Sequence, residues 1–324
     1  TEIYLRAAKL GYNNCPINPS DTLHHKHPSN FSFAAYSPQG EWDNFQIRTN
    51  QFGDRVDDSC KSKMNSGQTI LLGDSFVEGY QVKNSDTIAG KLQSLSCKQG
   101  IKVQNLGVSS YSPLLSYAQL CQRLRNKEMK LESSKANNVI HILYENDISG
   151  DRSYEKSLIK STPCPILNST DTLSPLQIAS RHSYVLRLLR RFQLTLKELS
   201  KSGRSVGSDV ANAKMFTPND DCLQSHEDLV STSKYIKKLK ELSYSNGAKY
   251  FVSAIPADSR KAKSTNYSCF QRIADLAGAE FIDAPSELFS NPENYYFKKD
   301  IHLNPSGSIL FAVKISENVP VVEN

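Results

Sequence analysis

From residue 67 onward, short apolar runs rich in β-branched residues alternate with stretches of helical periodicity, and few folds accept that alternation. It argues for a mostly parallel sheet with helices packed on its faces. Strands are expected at Thr69–Leu72, Ile101–Leu106, Val139–Leu143, Tyr250–Ile255 and Glu280–Ile282. Helices are expected at Thr87–Ser96, Pro113–Asn126, Ile178–Ser200, Glu227–Ser245, Tyr267–Leu276 and Ser306–Ser316. Residues 1–66 break the pattern. Pro16, Pro19, Pro28, Pro38, Gly40 and many Asn and Ser make them an irregular N-terminal arm packed on the main domain of residues 67–324. A polar insertion at about 150–224 interrupts the rhythm with one strong helix and loops at Ser202–Asp209 and Pro218–Asp221, as a lid or substrate-facing cap would.

Of the 324 residues, 38% are hydrophobic and 22% charged, so a sizeable core can form. The net charge of +6 comes from 39 basic residues scattered among 33 acidic ones. The densest basic groups, Arg187, Arg190 and Arg191, then Lys234, Lys237, Lys238 and Lys240, fall in helical stretches and read as solvated faces. No nucleic-acid motif and no interleaving of aromatic and basic residues is present, so nucleic acid is not an expected partner. No apolar run reaches the roughly 18 residues that span a bilayer. The chain begins at Thr1, and an upstream signal peptide or membrane anchor, removed from this sequence, is expected.

Seven scattered cysteines contain no C-x-x-C pair, which argues against zinc-ribbon and thioredoxin-type sites. Cys97 and Cys121 fall in expected core helices and are read as buried thiols. Cys15, Cys60, Cys164, Cys222 and Cys269 lie nearer loops and can pair in an oxidising compartment. His24, His25 and His27 invite a metal reading, but no paired carboxylates lie nearby in sequence, so an exposed loop is expected. His141 sits in an apolar strand and is expected as a satisfied core histidine.

The chemistry-bearing residues follow the expected strands. Gly73-Asp74-Ser75 ends the first, putting a hydroxyl in a tight turn beside backbone N–H groups. After the second comes Asn105-Leu106-Gly107, where a glycine lets a ligand approach the backbone closely. The third is followed by Tyr144-Glu145-Asn146-Asp147, whose Asn146 amide can donate. Near the C-terminus, Asp300-Ile301-His302 offers an imidazole base with an orienting carboxylate. Asp74 is expected to shape the turn through backbone hydrogen bonds, and Asp147 to fix Asn146. Phe76, Tyr80, Tyr111 and Tyr144 lie near the expected rim, suited to sugar stacking or to core packing.

This ordered set, Gly73-Asp74-Ser75, Gly107, Asn146 and Asp300/His302, resembles the four blocks of the SGNH, or GDSL, hydrolases across roughly residues 45–318. Ile47-Arg48-Thr49-Asn50-Gln51-Phe52-Gly53-Asp54-Arg55 resembles the Asn-x-x-Gly-Phe-Arg element of a bacterial extracytoplasmic, polysaccharide-modifying branch, with Phe and Gly in altered order. The resemblance implies a flavodoxin-like three-layer α/β sandwich with a mostly parallel five-stranded sheet. It implies Ser75 as nucleophile, His302 as base and Asp300 as its partner. The oxyanion hole would be the Ser75 and Gly107 amides with the Asn146 side chain. Most members carry Asp-x-x-His; here the carboxylate stands two residues before His302, and Lys299 holds the usual place. Asp-x-His occurs in some polysaccharide-modifying members, and a main-chain carbonyl can also orient the imidazole. The implied function is an esterase or O-acyltransferase acting on acyl groups, acetyl foremost, of a carbohydrate or small ester, outside the cytoplasm and without metal or cofactor. The alternatives are an inactive carbohydrate-binding or assembly protein on the same scaffold, and a lipase or thioesterase.

Overall fold

A computed structural model describes residues 1–56, 60, 65–131, 135–169, 172–202, 222, 224–262 and 266–319. The loops expected at Ser202–Asp209 and Pro218–Asp221 lie outside these residues, apart from Ser202, which ends a helix. The arm holds α1 (Glu2–Ala7) and strands β1 (Asn18–Ser20), β2 (His24–Lys26), β3 (Ser32–Ala35) and β4 (Phe45–Arg48). The domain follows with β5 (Gly67–Gly73), α2 (Ser75–Glu78), α3 (Ile88–Ser96), β6 (Ile101–Asn105), α4 (Pro113–Arg125), β7 (Ala136–Leu143) and α5 (Glu145–Glu155). Next come β8 (Leu158–Lys160), β9 (Ile166–Leu167), α6 (Pro175–His182), α7 (Tyr184–Ser202) and α8 (His226–Ser245). The chain closes with β10 (Lys249–Ala254), α9 (Tyr267–Ala277), β11 (Glu280–Ile282), α10 (Glu287–Ser290), α11 (Pro292–Tyr295) and α12 (Pro305–Asn318).

Strands β11, β10, β7, β5 and β6 form one sheet in that order, and every pairing is parallel. With strands counted along the chain the order is 2-1-3-4-5, the flavodoxin-like arrangement expected from the sequence. The helices form two groups flanking the sheet: α3 with α12, and α4, α5 and α9 around α8. A parallel strand covered on both faces must be apolar on both sides. Hence Val139, Ile140, Ile142 and Leu143 of β7 and Ile70, Leu71 and Leu72 of β5 are at most 1% exposed. Each such side chain contributes roughly 1.5–3 kcal/mol by leaving water. His141 is buried among them; its Nδ1 lies 3.4 Å from the Tyr250 hydroxyl, and burial pushes its pKa down to about 3, so the ring is neutral. Its Nε2 has no partner among the described residues, so this core histidine is only half satisfied.

Several expectations need correction. Cys97 and Cys121 are not thiols: the disulfides are Cys60–Cys97, Cys121–Cys164 and Cys222–Cys269. Helical periodicity correctly buried Cys121, but the segment covering that face of α4 carries Cys164. Cys15 alone is left free, and it is buried. The histidine loop is not exposed, since His25 is 8% and His27 2% exposed. The arm contains two antiparallel strand pairs, β1–β2 and β3–β4, and its Cys15, Phe33, Ala35 and Ile47 pack on Tyr80 of the main domain. The single helix expected at 178–200 is broken at Ser183, between α6 and α7.

Candidate active site

In an open parallel sheet, ligands bind beyond the strand carboxyl ends where the strand order reverses. Here that point lies between β5 and β7. Leaving β5, Gly73 leads to Asp74, whose carboxylate accepts the Phe76 N–H at 2.9 Å and caps α2. Ser75 is the first residue of this helix, so its N–H has no intrahelical acceptor. Leaving β7, Tyr144 caps α5, whose first turn carries Asn146.

The structure brings Ser75, His302 and Asp300 together. Ser75 Oγ lies 2.8 Å from His302 Nε2, and His302 Nδ1 lies 2.5 Å from Asp300 Oδ1. The short Asp-x-His spacing works because the chain between them turns back. Asp300 Oδ1 also accepts the His302 backbone N–H at 2.9 Å, an Asx-type turn that delivers the carboxylate to the ring. Tyr296 pairs with Leu303, and the Phe297 N–H donates to the His302 carbonyl at 3.0 Å, so the whole loop is hairpin-like. Burial raises the Asp300 carboxyl, but the His302 hydrogen bond and charge, the His302 amide and Lys261 outweigh it, and the group lies below its ordinary value. It is therefore ionised at neutral pH and selects the His302 tautomer with Nδ1–H, leaving Nε2 to accept from Ser75.

Three further elements hold this loop. Lys261 Nζ donates to the Phe297 and Asp300 carbonyls, at 2.6 Å each, while Asp258 pairs with both Lys261 and Arg260. Glu41 from the arm accepts the Lys299 and Asp300 N–H groups at 2.7 and 2.8 Å. Lys299, which holds the family's usual carboxylate place, donates its ammonium to the Gln39 carbonyl and takes no part at the imidazole. Gln81 brings its amide within 2.9 Å of His302 Nδ1. Neither Glu41 nor Gln81 was legible in the sequence, because each reaches the loop across more than two hundred residues.

The oxyanion donors stand differently. Asn146 is exposed at the rim, and its side chain hydrogen-bonds the Asp74 carboxylate. The Gly107 N–H is not open: it donates to Asn105 Oδ1 at 3.0 Å. Asn105 Nδ2 in turn donates to the Val77 carbonyl at 2.8 Å, so this amide serves the turn rather than the rim. The need for glycine at 107 is steric, since a Cβ there would lie 2.4 Å from the Glu78 nitrogen of α2. Asp147 Oδ2 accepts the Tyr144 N–H at 2.8 Å, bracing the start of α5 rather than Asn146 itself.

Behind the nucleophile the carboxyls are costly. Burial pushes Asp74 up to about 6, against the pull of the Phe76 amide, His302 and Asn146. Asp147 is raised well above its ordinary value by burial and by Asp74. Of the rim aromatics, Phe76, Tyr80 and Tyr111 are core residues, at most 4% exposed. Tyr144 is half-buried, its ring 4.2 Å from that of Phe76, which lies 4.6 Å from the His302 ring. The Asn50–Arg55 element lies under α2. Arg55 donates to the Glu78 carbonyl at 2.9 Å and to Asn84 Oδ1 at 2.7 Å, and also reaches the Gly79 carbonyl.

No helix among the described residues is long and apolar enough to cross a membrane. No family model and no curated protein matches the chain. Solved structures with a similar backbone include the psychrotrophic esterase EstA from Pseudoalteromonas sp., at 10% identity and TM-score 0.40, covering 78% of this chain and 96% of its own. A GDSL-like lipase from Bacteroides thetaiotaomicron is 12% identical, with TM-score 0.37, covering 78% of this chain and 88% of its own. A two-domain esterase active on acetylated mannans is 12% identical, with TM-score 0.42, covering 80% of this chain and 52% of its own. At such identities and scores the likeness fixes no activity for this chain.

Proposed function

We propose that this protein is a serine-dependent esterase or O-acyltransferase working on short acyl esters, acetyl foremost, of a carbohydrate. The observation that carries the proposal is the unbroken relay from Ser75 Oγ through His302 to Asp300, at 2.8 and 2.5 Å. Ser75 Oγ attacks the ester carbonyl while its proton passes to His302 Nε2, and Asp300 stabilises the imidazolium. The carbonyl oxygen becomes an oxyanion, for which the Ser75 N–H and the Asn146 amide are the assigned donors. Collapse breaks the bond to the leaving alkoxide, which takes the proton from Nε2. Water or a sugar hydroxyl then attacks the acyl-serine, giving its proton to the same nitrogen. Comparing p-nitrophenyl esters of short and long acyl chains tests that choice, with the short chain expected to turn over faster. Three disulfides support an oxidising, extracytoplasmic setting.

Ser75→Ala is expected to abolish release of p-nitrophenol from its acetate ester, and a fluorophosphonate is expected to label Ser75 alone, as located by mass spectrometry. Unchanged turnover in the variant, or a label elsewhere, refutes the assignment. Adding an oligosaccharide to the acetyl-enzyme separates the two acceptors: a transferase yields acetylated sugar, a hydrolase acetate.

A further inference from the structure

At the opposite end of α2 from Ser75, three other side chains meet. Cys15 and His27 come from the arm, and Glu78 is the last residue of the helix that Ser75 begins. One ligand atom of each lies within 4.8 Å of the others, and all three residues are buried. The side chains of His27 and Glu78 are each 1% exposed.

The hydrogen bonds of His27 call for a positive charge at this place. Its Nδ1 lies 3.2 Å from the Gly53 carbonyl oxygen, and its Nε2 lies 3.3 Å from Glu78 Oε2. Both of those oxygens only accept, whereas a neutral imidazole has a single N–H to donate. Nε2 must therefore carry a second proton or face a metal ion. The Gly53 carbonyl sets the tautomer from behind, the arrangement that metal-binding histidines use. Gly53 has φ +89°, and a Cβ there would lie 2.7 Å from the His27 carbonyl oxygen, so the approach is available to glycine alone. Glu78 Oε2 accepts the Ser109 N–H at 2.6 Å. Its other oxygen, Oε1, is buried with no hydrogen-bond donor among the described residues. The remaining member, Cys15, is the one cysteine outside a disulfide.

We propose that Cys15, His27 and Glu78 bind a zinc ion that clamps the arm to the helix carrying Ser75. A thiolate, an imidazole and a carboxylate together are zinc ligands by type. Nitrogen and oxygen ligands about 2.0–2.1 Å from a tetrahedral ion stand about 3.3–3.4 Å apart. The His27 and Glu78 atoms are 3.3 Å apart. Binding exchanges Zn²⁺ for two protons, one leaving the Cys15 thiol and one leaving His27 Nε2. Thiol, imidazolium and carboxylate sum to no net charge, and so do thiolate, imidazole, carboxylate and Zn²⁺. The exchange therefore adds no buried charge. Three protein ligands leave the fourth position to a water molecule.

The test uses the full chain with its disulfides intact, stripped with a chelator and then given one equivalent of Co²⁺ or Zn²⁺. The expected results are about one ion retained per chain after gel filtration, a thiolate-to-cobalt absorption band, and a rise in Tm of a few degrees with zinc. Since Cys15 is the only free thiol, the band in the unaltered chain is diagnostic whether or not a variant folds. Cys15→Ser, checked for fold by circular dichroism, is expected to lose the band. The proposal is overturned if the unaltered chain retains no ion and shows no band, or if Cys15→Ser keeps the same band and stoichiometry. Neither result bears on Ser75, whose labelling is read separately.

Discussion

An aspartate two residues before a histidine can serve the imidazole only when the intervening chain reverses, and the Asx turn at Asp300 makes it do so. One oxygen then serves both the backbone N–H and Nδ1 of the same residue. Asp300→Asn keeps an acceptor for the N–H but loses the charge that stabilises an imidazolium. The expected outcome is a kcat lower by ~10³–10⁴, with KM for p-nitrophenyl acetate within about twofold, because the carboxylate acts on the transition state more than on the bound ester. A variant with near-normal kcat would mean that a main-chain carbonyl, not Asp300, orients the ring. Gly107 teaches a different lesson at this scale. The residue type is needed as expected, but the reason is contact with the α2 backbone, and its N–H is committed to Asn105. Gly107→Ala is accordingly expected to lower Tm rather than to change kcat selectively, as thermal melting and steady-state kinetics would show together.

Between elements, the arm decides more than its irregular sequence suggests. Its Glu41 holds the N–H groups of Lys299 and Asp300, and its Arg55 holds the carbonyls that end α2. Glu41 thus acts as a positioning residue for the Asp300 loop. Glu41→Ala is expected to lower kcat roughly tenfold at nearly constant KM, since a 1 Å misplacement can cost ~10² in rate. Glu41→Gln keeps one acceptor oxygen and should recover part of the loss; equal kcat in all three proteins would deny the role. These contacts explain what the sequence could and could not reveal. β5 and β7 were legible because strands covered on both faces must be apolar throughout. α5 is missing from the expected helices because Glu145–Glu155 is polar, and only Asp147, Ile148 and Asp151 turn inward. The four strands of the arm have three or four residues each, too few to display a period. His27 looked exposed because its carboxylate partner is 51 residues away along the chain. Ser75 was legible because it follows β5, and Asp300 and His302 because they stand just before the strong helical pattern of α12.

For the molecule as a whole, the buried titratable groups oppose one another, and their windows separate with pH. His25 and His141 are held neutral by burial, with pKa values near 4 and 3. The unfolded chain binds protons at these residues below about pH 6.5 while the folded chain does not, so they add stability as pH rises to that value. Asp151 behaves oppositely. It is fully buried, accepts the Leu114 N–H at 2.8 Å, and has Oδ2 without a partner among the described residues. Burial pushes it up to about 7, so between its ordinary value and 7 the folded chain holds a proton that the unfolded chain has lost. Stability falls with rising pH across that window. Asp147, raised by burial and by Asp74, acts in the same direction. Below pH 6.5 the two histidines oppose this decline, while Asp74, pushed up to about 6, adds to it; above pH 6.5 the histidines no longer titrate and the carboxyls stand alone. Stability is therefore expected to fall from pH 6.5 toward pH 8. For Asp151 the part of its penalty remaining above pH 6.5 is on the order of 1 kcal/mol, at about 1.4 kcal/mol for each pH unit. Asp151→Asn keeps the acceptor for Leu114 and removes the ionisation. The difference between Tm at pH 6.5 and Tm at pH 8 should accordingly shrink by about one to two degrees in this variant, whatever the amide costs at either pH. A difference equal to that of the unaltered chain would show that Asp151 is ionised throughout and that its burial is relieved by water.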